Sequence, residues 1–324
     1  MILTLTPNPS MDTTMQLQGP LKRGAVQRPD TVTRVAGGKG VNVTHAVHLA
    51  GEETLAVFPA RDNDPFIALV MEAGLPYRSV PVAESVRINN TLAEPDGTTT
   101  KINGPGAFIN RETRLRIKGL VVELAGEADW IVMAGSLPPG IPATWYTTLV
   151  NAVRSVHPDV PIAVDTSDAA MVELGRGLED AAPTLIKPNG MELGQLVGED
   201  GDALETAAAD GDLAPVVAAA RRVLDRGVRE VLVTLGAAGA VLVTAEGTWH
   251  ASPPPTTVNS TVGAGDSSLA GYIMARRAGA SPADCLARAV AYGSAATALP
   301  GTTLPTPDLV NLADTHVRAV PASR

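Results

Sequence analysis

Short runs of apolar and β-branched residues alternate along the chain with longer segments in which apolar residues recur every three or four positions. The clearest strand patterns cover residues 2–5, 130–133, 162–164, 184–186, 231–234 and 240–243. The clearest helical patterns cover residues 42–50, 111–124, 144–156, 214–226 and 264–278. This alternation predicts an α/β fold, with a central, mostly parallel sheet flanked by helices on both faces. Ligands of such sheets bind at the carboxyl ends of the strands, so the residues that follow each strand are the functional candidates.

Two segments, 12–35 and 86–107, depart from this alternation. They contain polar, alternating residues such as the RINNTL run at 87–92, and the second has a turn signal at Asp96-Gly97. We predict antiparallel strands there, forming a small β-sheet lid inserted into a single domain that spans residues 1–324. Ordinary edge strands and surface loops are the alternative. Residues 201–212 are acidic and Ala-rich, which predicts a mobile surface loop.

Composition narrows the class of protein. Of the 324 residues 45% are hydrophobic but only 3% are aromatic, so aliphatic side chains must fill a sizeable core. The net charge of −9 argues against a nucleic-acid or anionic-membrane partner, although a local basic pocket for a phosphorylated substrate remains compatible with it. No apolar run is long enough for a membrane span, and the amino terminus lacks the features of a signal peptide. These features predict a cytoplasmic protein.

The strongest chemical signal is the TVGAGD run at 261–266, which opens a predicted helix. Small residues before a helix leave several N–H groups exposed, and the helix dipole adds positive potential, so the run can bind a phosphoryl group. Asp266 beside a bound phosphate could accept a proton from an attacking hydroxyl. The alternative is an Asp that only stabilises the first helical turn, but a cap does not require three preceding small residues.

The AGGKGVNV run at 36–43 also leads into a helix. Its glycines would let the backbone approach a ligand closely, Lys39 supplies a positive charge, and Asn42 supplies both a donor and an acceptor. The spacing is not that of a Walker A loop, and a glycine-rich turn with a solvated lysine is the alternative.

Asn189 and Glu192 follow a predicted strand and lie three residues apart, so they would share one helix face. Two oxygen ligands on one face suit Mg²⁺, while a capping box is the alternative. The glycine-rich stretch 234–240 lies between two strand patterns, and is either a hairpin or a nucleotide-phosphate loop. The stretches 8–12 and 135–140 place polar groups at strand ends, where a substrate would bind.

Taken in order, these motifs resemble those of the PfkB (ribokinase-like) family of carbohydrate kinases. The AGGKGVNV run is similar to the family's amino-terminal signature, NSTVGAGDSSLAGY at 259–272 to its carboxyl-terminal signature, and KPNGMEL at 187–193 to its magnesium motif. The resemblance spans essentially the whole chain and implies a ribokinase-like fold with a β-sheet lid. The runs TPNPSMD, VRINNTL, MAGSLPPG and ALPGTTLPTPDLV are similar to those of the 1-phosphofructokinase and tagatose-6-phosphate kinase branch.

The resemblance also implies roles for individual residues. Catalysis would use Asp266 as the base, with the N–H groups of Gly263, Ala264 and Gly265 as an anion hole. The sugar phosphate would be bound by Asp12, Gly37, Gly38, Lys39, Asn42, Arg87, Ser136 and Arg28. The ATP site would include Lys187, Thr234, Gly236 and Gly239, and Mg²⁺ would be organised by Asn189 and Glu192. The partners expected are ATP, a sugar phosphate and, in a homodimer formed through the lid, a second copy of the chain.

The first functional hypothesis is ATP-dependent phosphorylation of fructose 1-phosphate to fructose 1,6-bisphosphate. The second keeps the chemistry and changes the substrate to tagatose 6-phosphate, fructose 6-phosphate, or an unphosphorylated sugar or nucleoside. Lys101 lies in the second lid segment where many relatives carry an acid, which leaves the exact sugar open. The third is a sugar-phosphate sensor without catalytic activity, against which the presence of Asp266, Asn189 and Glu192 argues.

Overall fold

A computed structural model describes residues 1–321 of the chain. The strands are β1 Ile2–Leu5, β2 Ser10–Gln16, β3 Thr31–Gly37, β4 Thr54–Pro59, β5 Tyr77–Val80, β6 Arg87–Ala93, β7 Thr99–Asn103, β8 Trp130–Ala134, β9 Ile162–Asp165, β10 Leu185–Ile186, β11 Glu230–Thr234, β12 Ala240–Thr244, β13 Gly247–Ser252 and β14 His316–Ala319. The helices are α1 Lys39–Leu49, α2 Pro65–Glu72, α3 Arg111–Leu124, α4 Trp145–Val156, α5 Asp168–Arg176, α6 Leu178–Ala181, α7 Gly190–Val197, α8 Gly201–Ala209, α9 Ala214–Leu224, α10 Ala264–Arg277 and α11 Pro282–Thr297.

Ten strands form the large sheet, in the order β14-β13-β12-β11-β10-β9-β8-β1-β4-β5. The neighbours from β11 to β5 pair in parallel, whereas β12, β13 and β14 extend one edge as antiparallel strands. The chain leaves β1 toward β4 on one side and later returns to β8 on the other. The direction of winding therefore reverses between β1 and β8, which is where open α/β sheets form their ligand-binding crevice.

Side chains that alternate along the strands fill separate cores on the two faces of the sheet. Leu3 and Leu5 of β1 join a core that includes residues of α3 to α9, whereas Ile2 joins a core with residues of α1, α10 and α11. This alternation is the period of two expected of a strand that is buried on both faces. The predicted α/β fold with helices on both faces is confirmed.

The small sheet consists of β2, β3, β6 and β7, in the order β3-β2-β6-β7. The β2–β3 and β6–β7 pairs are antiparallel, and β2 pairs with β6 in parallel. The turn between β6 and β7 contains Gly97 at a φ of 90°, beside Asp96, whose carboxylate accepts the N–H of Thr98. These strands fall largely within the two segments that depart from the alternating pattern. The function of the small sheet as a lid stays a prediction.

One prediction is wrong. Residues 201–212 were expected to form a mobile loop, but Gly201–Ala209 is helix α8. The carboxylate of Asp200 accepts the N–H groups of Asp202 and Ala203 at the start of the helix, and Leu204 and Ala208 are buried. An N-terminal cap and two buried apolar residues four apart therefore stabilise this short helix. Within residues 1–321, no helix has both the length and the apolar character required to cross a bilayer.

Candidate active site

The crevice at the reversal point is bordered by residues that follow β1 and β8. Asn8, which is buried, lies after β1, and its side-chain amide donates to the hydroxyl of Ser136 after β8 at 3.3 Å and to the carbonyl of Pro105 at 3.2 Å. Gly106 has a φ of 99°, which favours glycine, and a Cβ there would also lie 2.1 Å from the amide oxygen of Asn8. The side chain of Asn8 thus connects the ends of β1 and β8 to the segment that follows β7, the last strand of the small sheet.

Helix α10 begins at this edge of the large sheet. Gly263 adopts a left-handed conformation with φ 78°, which glycine allows without strain. The N–H groups of Gly265 and Asp266 have no hydrogen-bond acceptor among residues 1–321, whereas the N–H of Ala264 points to the carbonyl of Thr261 at 3.5 Å. Free N–H groups at the positive end of a helix dipole form a site suited to a phosphate. The N–H of Gly263 also has no acceptor among residues 1–321, so the proposed anion hole has donors at Gly263, at Gly265 and at Asp266 itself.

Asp266 is buried in the first turn of α10, and its carboxylate accepts a hydrogen bond of 2.7 Å from the side-chain amide of Asn42. Asn42 lies on α1, one turn after Gly38, which has a φ of 108°. The glycine-rich signals near the two ends of the chain therefore meet at one point. Burial, followed by the negative charge of Asp165, raises the pKa of Asp266 to about 6, although Lys39, Asn42 and Lys187 oppose this shift.

Asp165, at the end of β9, is fully buried and is the residue that the sequence analysis missed. Its two carboxylate oxygens lie 2.5 Å from the ammonium of Lys39 and 2.9 Å from that of Lys187. Burial alone would raise the pKa of Asp165, but Lys187 and Lys39 together hold it below its ordinary value. The only available sequence signal was its place at the carboxyl end of a buried strand.

Lys39 was predicted to bind the substrate phosphate, and the structure shows it between two carboxylates. Besides Asp165, its ammonium lies 3.4 Å from Glu192. Burial alone would lower the pKa of Lys39, but Asp165, Glu192 and Asp266 raise it above its ordinary value. Lys39 is therefore charged at neutral pH, and about a third of its side chain is exposed.

Asn189 and Glu192 form a reciprocal capping box at the start of α7, as the alternative interpretation expected. Each side-chain oxygen accepts the backbone N–H of the other residue, at 2.7 and 2.9 Å. Within residues 1–321, no group of three or more His, Cys, Asp and Glu side chains could hold a metal ion alone. Magnesium is commonly bound by one or two carboxylates together with substrate phosphates. Glu192 is the candidate carboxylate for such a shared site; in this structure one of its oxygens accepts the N–H of Asn189 and the other lies 3.4 Å from the ammonium of Lys39.

The small sheet contributes Asp12, Asn89 and Arg87. Adjacent positions on β2 and β6 place the Asn89 amide 3.0 Å from the Asp12 carboxylate, and Gly37 lies so close that a Cβ there would meet this carboxylate at 2.2 Å. Burial lowers the pKa of Arg87, while Asp12 opposes the shift. Arg28 lies in the loop between β2 and β3, and within residues 1–321 it makes no ion pair or side-chain hydrogen bond.

A cavity of about 540 Å³ opens beside the start of α10. This volume is within the range of small-molecule sites. Its lining includes the predicted nucleotide residues Thr234, Gly236 and Gly239 together with Ala264 and Gly265. The Lys187 ammonium lies close to Gly265, one of the lining residues, since a Cβ on Gly265 would be 3.3 Å from it. The stretch 234–240 is a hairpin between β11 and β12, as one of its two interpretations expected, and its role as a nucleotide-phosphate loop stays a prediction.

The model of the pfkB family carbohydrate kinases matches residues 6–309. The chain belongs to the pfkB family of carbohydrate kinases. It is 35% identical over 320 residues to a 1-phosphofructokinase of Haloferax volcanii, covering 98% of this chain and 97% of the relative. It is 34% identical over 274 residues to a 1-phosphofructokinase of Escherichia coli K12, covering 84% and 83%.

Among solved structures, phosphofructokinase-2 from Escherichia coli in complex with potassium matches with a TM-score of 0.85 and 30% identity, covering 95% of this chain and 96% of that chain. The predicted family, the ribokinase-like fold and the carbohydrate kinase activity are thereby confirmed. The predicted roles of individual site residues stay predictions.

Proposed function

We propose that this kinase transfers the γ-phosphoryl group of ATP to the 6-hydroxyl of fructose 1-phosphate, giving fructose 1,6-bisphosphate. The observation that carries the proposal is the buried Asp266 beside free N–H groups at the start of α10, with Asn42 oriented toward it. The sugar is suggested by the relatives named 1-phosphofructokinase, including those of Haloferax volcanii at 35% and Escherichia coli K12 at 34% identity to this chain.

In the proposed reaction Asp266 accepts the proton of the 6-hydroxyl as its oxygen attacks the γ-phosphorus, and the bond to the bridging oxygen of ADP breaks. The raised pKa of Asp266 suits this task, because a base works best with a pKa near the operating pH. The N–H groups of Gly263, Gly265 and Asp266 would bind the charge of the phosphoryl group in flight. Asn42 orients the carboxylate through its hydrogen bond.

ATP would occupy the cavity lined by Thr234, Gly236 and Gly239, with its phosphates directed toward Gly265 and Lys187. Mg²⁺, when bound, would neutralise part of the phosphate charge. Glu192 and Asn189 are the residues proposed to hold it.

The sugar phosphate would lie in the crevice between the two sheets. Asp12, Gly38, Asn42 and Ser136 would bind its hydroxyls, and Arg87, Lys39 and Arg28 would bind its phosphate. A guanidinium can bind a phosphate through two parallel hydrogen bonds. The small sheet would close over the crevice and exclude water, which limits hydrolysis of ATP. Homodimerisation through the small sheet and a cytoplasmic location remain predictions from the sequence.

The test is a comparison of kcat/KM for fructose 1-phosphate, tagatose 6-phosphate and fructose 6-phosphate with saturating ATP. We expect the highest value for fructose 1-phosphate. A preference for either 6-phosphate would overturn the choice of sugar and leave the chemistry in place. ATP-dependent turnover of none of the three, with sugar binding retained, would favour the sensor hypothesis.

The second candidate function is 6-phosphofructokinase activity. It is favoured by the 31% identity, over 317 residues, to an ATP-dependent 6-phosphofructokinase isozyme 2 of Mycobacterium tuberculosis. Fructose 6-phosphate would then present its 1-hydroxyl to Asp266, and the product would be the same bisphosphate.

A further inference from the structure

Two buried hydroxyl groups donate hydrogen bonds to the peptide unit between Gly135 and Ser136. The carbonyl of Gly135 accepts a hydrogen bond of 2.6 Å from the hydroxyl of Tyr146 and one of 3.0 Å from that of Thr166. The N–H of Gly135 donates to the carbonyl of Asp165 at 2.9 Å. Tyr146 and Thr166 are fully buried. Both hydroxyls therefore donate a hydrogen bond to one backbone oxygen, directly after β8.

The conformation of Gly135 is unusual as well. Its φ is 124°, a value that residues with a Cβ rarely adopt. Its carbonyl is the group that accepts the hydrogen bonds of both buried hydroxyls. A conformation that only glycine adopts easily, together with two buried donors that hold it, indicates that the orientation of this peptide matters.

The orientation of the Gly135 carbonyl determines the direction in which the N–H of Ser136 points. In a trans peptide the carbonyl and the following N–H point in opposite directions. Because the carbonyl of Gly135 points at Tyr146 and Thr166, the N–H of Ser136 points away from them. It has no acceptor among residues 1–321. The Ser136 hydroxyl, on the same residue, lies next to Asn8 at the crevice.

Among residues 1–321, neither hydroxyl group donates to any acceptor other than the carbonyl of Gly135. Burial raises the pKa of Tyr146, so its hydroxyl remains a donor at any working pH. The aromatic ring of Tyr146 packs in the core beside Leu149 and Val150 of α4, which a phenylalanine would do equally well. The hydroxyl is thus separable from the packing of the ring.

We infer that the N–H of Ser136 donates a hydrogen bond to an oxygen of the bound sugar phosphate, and that Tyr146 and Thr166 are positioning residues that aim it. The inference deepens the proposed function and rests on it. Tyr146 and Thr166 do not touch the substrate, and they act only through the peptide that they orient.

The test compares Tyr146→Phe, Thr166→Val and the double variant with wild type, using fructose 1-phosphate and fructose 6-phosphate. Each single change should raise the KM of the sugar phosphate about 3- to 10-fold, the range that one hydrogen bond covers. The double variant should exceed the product of the two, because either hydroxyl alone can still hold the carbonyl. The KM of ATP should stay within about twofold.

Tyr272→Phe is the matched control. It also removes a buried tyrosine hydroxyl, which donates to Glu230 at 2.9 Å, in the middle of α10 and away from the crevice. It should lower the unfolding temperature without changing the KM of the sugar. If Tyr146→Phe and Thr166→Val behave like this control, or if they raise the KM of ATP equally, the inference is overturned. If the wild-type protein phosphorylates none of the sugar phosphates, both the proposed function and this inference are overturned.

Discussion

Two buried carboxylates with basic partners lie at opposite ends of the strands of the large sheet, Asp165 at the end of β9 and Glu230 at the start of β11. Asp165 lies against Lys39 and Lys187, which belong to different sequence motifs. Glu230 accepts hydrogen bonds from Tyr272 at 2.9 Å and from Arg276 at 2.6 Å, both on α10. The two clusters have similar burial and similar short contacts.

Their surroundings differ. Around Asp165 lie free N–H groups, a cavity and a second carboxylate with a raised pKa, and one of its lysines is partly exposed. Around Glu230 the side-chain partners come from one helix, so the cluster attaches α10 to the sheet. A buried ion pair is therefore weak evidence for function by itself. Its position at the carboxyl end of the strands, with unused donors beside it, is what distinguishes a candidate active site.

The largest effect is expected for Asp266→Asn, which should lower kcat by about 10²- to 10⁴-fold because the base is lost. The amide is isosteric, so the fold should survive. The raised pKa of Asp266 means that folding favours its protonated form. Folding stability contributed by this group is therefore complete below the ordinary Asp pKa, and it is lost as the pH rises through about 6.

The neutral amide introduced by Asp266→Asn avoids that loss, so this variant should unfold at no lower temperature than wild type at neutral pH. Kinetics and thermal unfolding, measured on the same preparation, check both expectations. Near-normal turnover would contradict the role of Asp266.

The next effect is expected for Asp165→Asn, which leaves Lys187, a buried residue, and Lys39 without their shared counter-charge. Removing one partner of a buried ion pair costs about 3–5 kcal/mol. We expect both a lower free energy of unfolding in urea and a lower kcat/KM. A variant with unchanged kcat/KM would show that Asp165 only stabilises the fold, as we propose for Glu230.

The smallest effect on activity is expected for Glu230→Gln, the counterpart at the other end of the strands. It weakens hydrogen bonds to Arg276 and Tyr272 and should destabilise the fold by about 1–3 kcal/mol. Arg276 is partly exposed, so water can solvate its charge. The kcat and both KM values should stay within about twofold of wild type. A large loss of kcat without loss of stability would erase the distinction between the two clusters.

The sequence predicted local structure well where the pattern is strong. The helix expected at 111–124 is observed as Arg111–Leu124, and the strand expected at 2–5 as Ile2–Leu5. Helix α8 was missed because its sequence, GDALETAAA, is mostly small residues, and a large apolar side chain occurs in it only at Leu204. Neither the parallel pairing of β2 with β6 nor the order of the ten strands can be obtained from local patterns, because both depend on contacts between distant segments.

In the candidate site, too, local sequence patterns reveal single motifs but not the contacts between distant segments. Asp266, Lys39 and Asn189 each lie in a run of unusual composition, so they could be found one motif at a time. Asp165 lies in an ordinary apolar strand, and its partner Lys39 is 126 residues away in the chain. The function of Tyr146 and Thr166 is visible only once the carbonyl of Gly135 is seen between them.

The most direct test of the central claim is the pH dependence of kcat/KM for the sugar phosphate, measured between about pH 5 and pH 8 in wild type and in Asp266→Asn. The base must be deprotonated to act, so the wild-type value should fall about tenfold per pH unit below the Asp266 pKa of about 6. The asparagine variant should lack this fall and retain only the titration of the substrate phosphates. The same acid limb in both proteins would contradict the assignment of Asp266 as the catalytic base.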